Sequence, residues 1–412
     1  MKKSKKIAVI GGGASGLVAG ISAARNGADV LILEQKEKVG KKILATGNGR
    51  CNFTNAYMTA DCFRSEQKEN ISAVLERFGT KETLFLFEEL GILPKDRNGY
   101  YYPKSNQASA ILDVLIMELK RLNVEIVCNS RVTEIVKNKQ FKIVSSTGTY
   151  MADAVILSAG GKAAASLGSD GSGYSLAKAF GHTISPVVPA LVQLHGNGTF
   201  FKQIAGVRAD AKISLYVDNR LLGEDTGEIQ FTDYGISGIP VFQISRFASL
   251  ALYRRKMPKV SLDFFPEFTK EELKVFFENR IKQNGEKKAG EFLVGLLNKK
   301  LMPILLRASG VRERTVISEL EKERFERLID KCKGFEIEII GTNSFEQAQV
   351  CAGGVRLNEI DINTMESLYE SDLYITGELL DADGICGGYN LQWAWATGYL
   401  AGENAARGRK YD

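Results

Sequence analysis

Histidine is nearly missing from this chain: 412 residues contain two, alongside two tryptophans and eight prolines. A zinc centre takes several Cys or His ligands at short spacing, and neither His182 nor His195 has such a neighbour. No metal is expected. The six cysteines, at 51, 62, 128, 332, 351 and 386, form no C-x-x-C pair and lie far apart. They read as reduced thiols, and a redox disulfide between Cys51 and Cys386 finds no support in their spacing. A G-x-S-x-G elbow is also missing, which excludes the usual serine hydrolase arrangement. No apolar run approaches the ~18 residues that span a membrane. The stretch Ile7–Ile10 stops at Gly11, short of the ~7–15 residues of a secretory segment. A cytoplasmic protein without membrane contact is expected.

Charge is not scarce, but its excess is local. The net charge is +5, and basic residues crowd the ends, at Lys2–Lys6 and at Arg407–Lys410. These read as solvated tails. Nucleic acid would need a basic face, so a small molecule is the expected partner; oligomeric state is not legible.

Glycine is abundant, with 41 residues, and clusters at particular turns. Lys6–Ile10 reads as a strand, Ala14–Asn26 as a helix closed by Gly27, and Asp29–Leu33 as a second strand. This is a βαβ opening. A polar, helical region follows. The apolar period over Ala110–Leu122 predicts a helix leading into a strand at Val124–Cys128, and Phe141–Val144 and Ala154–Leu157 read as further strands. From Pro189 the pattern turns β-rich: Ala211–Val217 alternates, Asp218-Asn219 signals a turn, and Glu228–Thr232 is strand-like. From Thr269-Lys-Glu-Glu272, a capping box, the period is helical. Phe335–Ile340 returns to strand. The expected fold class is therefore α/β, an FAD/NAD(P)-binding Rossmann-like domain with a β-barrel-like insert and a helical insert. The boundaries read as 1–188 with 345–412, 189–260 with 333–344, and 261–332.

Gly11-Gly-Gly-Ala-Ser-Gly16 fits G-x-G-x-x-G between a strand and a helix, the context that gives the motif meaning. Gly11 permits the tight turn, Gly13 lets a pyrophosphate approach the backbone, and Gly16 allows close helix–strand packing. Ala14 and Ser15 begin a helix whose free N–H groups and dipole attract phosphate. Glu34 ends the second strand and can accept hydrogen bonds from ribose hydroxyls, which favours FAD or NAD over a 2′-phosphorylated nucleotide. Residues 374–398 decide between the two. There a strand ends at Gly377-Glu378, a glycine-rich loop follows, and a helix begins near Gly388, a second strand end able to meet the flavin. The N–H groups around Gly388-Tyr-Asn390 are expected to face the flavin edge where charge builds on reduction. Trp393 and Trp395 ride that helix as packing residues.

At this point the chain resembles a known family. Ile43-Leu-Ala-Thr-Gly-Asn-Gly-Arg-Cys-Asn-Phe-Thr-Asn55 is similar to the signature of the BaiN/YhiN-type, aminoacetone-oxidase-like flavoproteins. So are Gly168-Ser-Asp-Gly-Ser-Gly-Tyr174, Phe231–Pro240, Ala348–Val355 and Gly387–Trp395, blocks that run across nearly the whole chain. The resemblance implies non-covalent FAD held by Ser15, Glu34, Gly47, Arg50, Cys51, Asn52, Gly160, Glu378 and Asn390. The wider contact set expected around it takes in Ala14, Gln35, Thr46, Gly49, Val132, Ala159, Gly161, Gly377, Gly387, Gly388 and Tyr389. Two departures stand out: Thr46 where Ser is common, which keeps the hydroxyl, and Ala159 where Thr is usual, which loses one. The Gly168–Gly173 loop also resembles the T-G-D-G loop of flavoproteins that add or remove hydrogen across C=C bonds.

The implied activity is reduction of an enone, of the 3-oxo-steroid or bile-acid type, with NAD(P)H as a transient reductant. No second G-x-G-x-x-G follows a strand, so no dedicated nicotinamide domain is expected. Arg50, Tyr234 and Tyr389 are the candidates for a proton donor. Two other readings stay open: a flavin amine oxidase, and a flavin-binding protein without turnover.

Overall fold

The computed structural model describes residues 4–407. Lys2, Lys3 and Gly408–Lys410 of the two basic ends fall outside that range. Lys5 pairs with Asp372 and Arg407 with Glu403, so these two are ion-paired and not the free tail charges expected.

The chain forms two compact units, Met1–Val187 with Phe345–Asp412, and Val188–Ser344. The first opens with β1 (Lys6–Ile10), α1 (Ala14–Arg25) and β2 (Asp29–Leu33), and continues through α2 (Ala108–Arg121), β3 (Glu125–Val127) and β4 (Ala154–Leu157). The anticipated polar region before α2 contains helices, but also a small sheet of Thr54–Asn55, Tyr100–Pro103 and Pro94–Arg97. No alternating pattern marks strands this short.

In the second unit β5 (Leu194–Gly196), β6 (Arg208–Val217), β7 (Arg220–Phe231), β8 (Gly235–Ser237), β9 (Lys259–Asp263) and β10 (Phe335–Thr342) close an antiparallel barrel in the order 5-8-7-6-9-10. Asp218 and Asn219 both have positive φ, the backbone of a tight hairpin turn. β7 begins at Arg220, well before the expected Glu228, because Gly223 and Gly227 break its hydrophobic alternation. A 15-residue helix, α3 (Ile239–Tyr253), lies inside the segment expected to be β-rich; Pro240 at its start and buried Val241, Ile244 and Ala248 are the signals that were missed. The helices α4 (Lys270–Asn284), α5 (Met302–Ala308) and α6 (Lys322–Lys333) follow. The capping box of α4 forms as read, with Thr269 and Glu272 exchanging hydrogen bonds. Barrel and helices share one apolar core, in which Ile213 and Ile337 bury with Phe277, Leu305 and Leu328.

The chain returns to the first unit with β11 (Leu373–Ile375) and ends in α7 (Tyr389–Arg407). The parallel strand order is 3-2-1-4-11, extended by two short antiparallel strands at Glu366–Ser367 and Ile360–Asp361. Order reverses between β1 and β4, the switch point outside which α/β sheets bind ligands. β11 stops at Ile375, and Gly377–Leu379 is a 3₁₀ turn where strand was expected, since Gly377 has φ +67°.

α1 and α7 pack backbone to backbone. A Cβ added at Gly398 would sit 2.3 Å from the Ser15 carbonyl oxygen, and one at Gly402 2.2 Å from that of Ala19. The matched steps, 15 to 19 and 398 to 402, make the helices parallel. α2 is tied to α1 by Glu118, which accepts from Arg121 and Arg25.

Two outcomes follow from this packing. Gly402→Val forces the helices apart and lowers stability by about 3 kcal/mol or more, read as the urea midpoint. The Arg121 and Arg25 guanidiniums hold the Glu118 carboxyl down to about 2 from an ordinary 4.5. Its depressed value means the pairing stabilises the fold above pH ~4.5 and is lost as pH falls towards ~2. Glu118→Gln should therefore remove about 1–2 kcal/mol at pH 7 and make the variant converge with wild type in acid.

Candidate FAD site

The loop after β1 is built by glycine at positions no other residue fits. Gly11 has φ +108°, and a Cβ there would meet the Ser158 carbonyl oxygen at 2.5 Å; at Gly16 it would meet the Gly11 oxygen at 1.9 Å. β4 therefore ends hard against the phosphate loop, with Ala159 beside Gly11. At Gly13, by contrast, an added Cβ meets nothing within 4 Å. Gly13 is also the N-cap of α1, with no side chain bonded to the helix end. The first N–H groups of this uncapped helix have no partner within the helix and offer the donors and positive dipole end that a pyrophosphate needs.

Glu34 is 8% exposed. It accepts from the backbone N–H of Gly12 and of Lys36, both at 2.8 Å. Burial raises its carboxyl above the ordinary value, and those backbone donors oppose the rise. Each oxygen keeps a lone pair for a ribose hydroxyl. Gln35 donates to the Gly168 carbonyl at 2.5 Å, which joins the β2 end to the glycine loop Gly168–Gly173. Gly160 packs at the Ser169 hydroxyl, and Gly161 at Glu378 and Tyr174. Val132 is buried at the start of the strand Val132–Lys137, just past a segment in which Ser130 N–H donates to Glu34 O.

The signature segment 43–55 and the head of α7 are bolted together. Trp395 Nε1 donates to Phe53 O, Asn55 donates to Gly387 O, and Thr54 donates to the fully buried Gln392. Thr83 donates to the same Gln392 oxygen. Gln392, 338 positions from Thr54, was not singled out from the sequence. Within the signature, Gly47, Gly49 and Cys51 take positive φ. Thr46 spends its hydroxyl on Ile43 O. Arg50 is exposed, donates to Gly47 O and lies 5.9 Å from the Tyr102 ring. Cys51 is buried, and burial pushes its thiol up to about 12, so it is no thiolate at neutral pH. All six cysteines are free.

Several expected ligands are occupied by the frame. Asn390 exchanges two 2.8 Å hydrogen bonds with the Gly384 backbone, closing the loop before α7. Glu378 pairs with Lys42 at 2.7 Å and accepts from Cys351 N–H at 2.8 Å. Lys42, which brings a cation to the second strand end, stands immediately before the signature segment and was not among the expected site residues. Tyr389 is 5% exposed with its ring edge-on to Phe63, and burial raises its phenol; it packs the core. Tyr234 belongs to the second unit.

Two buried polar atoms lack partners where a ligand would supply them. Asn52 Oδ1 is an unpaired acceptor beside Gly388, and Tyr174 Oη is unpaired beside Glu378. The distance between the two ends also fits. Gly398, which touches Ser15 at the start of α1, lies nine residues into α7. At 1.5 Å per residue α7 therefore begins about 13 Å beyond α1. Two parallel helices offer two positive ends, staggered along one line, as an extended FAD requires. Among the described residues no group of three or more His, Cys, Asp or Glu is placed to hold a metal.

Residues 5–404 match the family described as HI0933-like protein Rossmann domain. The 3-dehydro-bile acid delta(4,6)-reductase of Clostridium scindens is 53% identical over 97% of this chain and 99% of its own. The ribosomal RNA dihydrouridine synthase of Haemophilus influenzae is 30% identical over 97% of this chain and 98% of its own. Among solved structures, 3-ketosteroid delta1-dehydrogenase from Sterolibacterium denitrificans shares the fold at a TM-score of 0.51 and 12% identity, covering 98% of this chain and 100% of that one. No described helix is long and apolar enough to cross a membrane.

Glu34→Gln tests the adenosine end. Replacing the carboxylate by an amide should weaken FAD binding about 10- to 100-fold, measured by quenching of flavin fluorescence as apoprotein is titrated. An unchanged affinity would remove Glu34 from the site.

Proposed function

This chain belongs to the HI0933-like Rossmann-domain family, and from that premise we propose that it is an FAD-dependent reductase of carbon–carbon double bonds conjugated to a carbonyl. A 3-oxo-steroid of bile-acid type is the substrate class. The observation that carries the reading is 53% identity, end to end, with a bile-acid delta(4,6)-reductase. The staggered helix ends of α1 and α7 support the cofactor.

FAD, when bound, supplies two-electron hydride chemistry that no side chain possesses. The residues of this chain do the rest. Gly13, Ala14 and Ser15 give phosphates a backbone cradle, and Glu34 holds the ribose. Gly387 and Gly388 let the start of α7 lie close to Tyr100 and the Thr54 backbone, and the N–H groups of that helix end would face charge that grows on reduction. Asn52 Oδ1, an acceptor without a donor, suits an imide N–H of the flavin ring. Lys42 and Glu378 set the charge at the second strand end. NAD(P)H is the proposed reductant; with no second dinucleotide fingerprint in the sequence, it binds only transiently. Six free cysteines suit a reducing, cytoplasmic compartment.

A second reading rests on the relative at 30% identity that acts on ribosomal RNA. The C5=C6 bond of uracil is conjugated to a carbonyl, so the same hydride addition serves both substrates. One experiment separates them. Protein reduced anaerobically with NADH or NADPH is mixed with a 4-en-3-one steroid, or with ribosomal RNA. Reoxidation of the flavin by the steroid, with a saturated ketone as product, is expected. Reoxidation by RNA alone, with dihydrouridine formed, would replace the steroid reading; amine-driven bleaching with peroxide release would mark an oxidase. A flavin that neither nicotinamide bleaches would remove NAD(P)H as the donor.

A further inference from the structure

Within the first unit, the Lys42 side chain runs from one side of the phosphate loop to the other. Its backbone end is tied to Gly12. Gly40 N–H donates to Gly12 O at 2.8 Å, and Val39 packs so closely that a Cβ on Gly12 would lie 2.5 Å from its Cγ1. The short helix Lys41–Ala45 starts from that contact. Its ammonium end is tied near Ser15. Lys42 Nζ donates to Glu378 Oε2 at 2.7 Å and to Ala163 O at 3.2 Å, and Gly377, next to Glu378, abuts Ser15 Oγ. Gly12 and Ser15 flank Gly13 and Ala14, where α1 begins without a side-chain cap.

The charges at this place call for a cation. A pyrophosphate brings two negative charges, and the partly buried Glu378 holds a third. The end of α1 offers about half a positive charge. Backbone alone would leave the phosphates beside an uncompensated carboxylate. Other lysines nearby are engaged elsewhere. Lys41 pairs with Glu37 at 3.0 Å, Lys162 Nζ lies 4.7 Å from the centre of the Phe345 ring, and Lys36 stands at Gly168 on the adenosine side. Of these four, Lys42 remains.

A buried group beside the pair also points to a ligand. Tyr174 is 8% exposed, and its hydroxyl has no partner. That oxygen and the Glu378 carboxyl both lie within 3.2 Å of where a Cβ on Gly161 would stand. An unpaired polar atom at such depth calls for a ligand group next to Glu378.

We propose that Lys42 is a ligand of the FAD pyrophosphate, with Glu378 and Ala163 holding its ammonium in place. A lysine ammonium has three N–H donors; two go to the protein, and the third goes to a phosphate oxygen. The inference rests on the FAD reading and adds to it a side chain that meets charge with charge. Two contacts order this long side chain before the cofactor arrives, so little rotamer freedom remains to be lost on binding.

Apoprotein is titrated into FAD, and the quenching of flavin fluorescence is followed. Lys42→Met should weaken binding about 10- to 100-fold, and Lys42→Arg, which keeps the cation, should recover most of the loss. The thermal midpoint of the apoprotein should not move in Lys42→Met, since a half-exposed pair contributes little to stability. The Glu378→Gln background tells a phosphate contact from mere neutralisation of the carboxylate. There, Lys42→Met should still weaken FAD binding about 10-fold. In the loaded proteins, the phosphorus NMR signals of bound FAD should differ between wild type and Lys42→Met. Unchanged affinity in Lys42→Met, a loss that vanishes in the Glu378→Gln background, or identical phosphorus signals overturns the assignment. A wild-type protein that binds no FAD sinks the cofactor reading itself, and the assignment with it.

Discussion

The first unit hangs on the contact between α1 and α7. Gly398 and Gly402 let the backbone of α7 lie against the Ser15 and Ala19 carbonyls, closer than any side chain allows. Ser22 adds a hydrogen bond to Tyr399 O. Close-packed interiors transmit such constraints because they contain little slack. The same contact fixes the Gly377 loop, where Gly377 N–H donates to Thr397 and Trp393 donates to Gly377 O. An added Cβ at Gly377 would strike Ser15 Oγ at 2.6 Å. One helix pair therefore sets the stagger of two positive helix ends and the position of the second strand end.

Around that frame the protein separates holding a ligand from holding the residues near it. Asn390, Thr46 and Glu378 sit in motifs that suggest ligand contact, yet their polar atoms serve the backbone or Lys42. What stays open is main chain at the bare N-cap of Gly13, whereas Gly387 packs at Tyr100 and Gly388 at the Thr54 backbone. This division suits a large cofactor. Backbone N–H groups held by tight glycine turns cost no rotamer entropy on binding, whereas a long side chain must be immobilised. Glu34 is the exception, and two backbone donors lock its carboxylate in place beforehand.

Much of the fold was legible because it is local. The βαβ opening, the capping box at Thr269–Glu272 and the Asp218-Asn219 turn each depend on neighbours within a few residues, and each formed as read. α3 was missed although its signals are also local; the β-rich character of the flanking segments outweighed a Pro at the first turn. The candidate site was legible as a set of motifs, since glycine spacing reports backbone need directly.

Sequence alone determined which backbone turns are possible, and hence that a dinucleotide loop stands at the first helix and a second glycine-rich turn at the last. Tertiary structure decided which side chains meet. Lys42 reaches Glu378 across 336 positions, Gln392 reaches Thr54 across 338, and Asn343 reaches Tyr234 across 109. The physical reason is range: φ and ψ preferences act on adjacent residues, whereas partners for buried polar atoms are chosen only when distant strands and helices have packed.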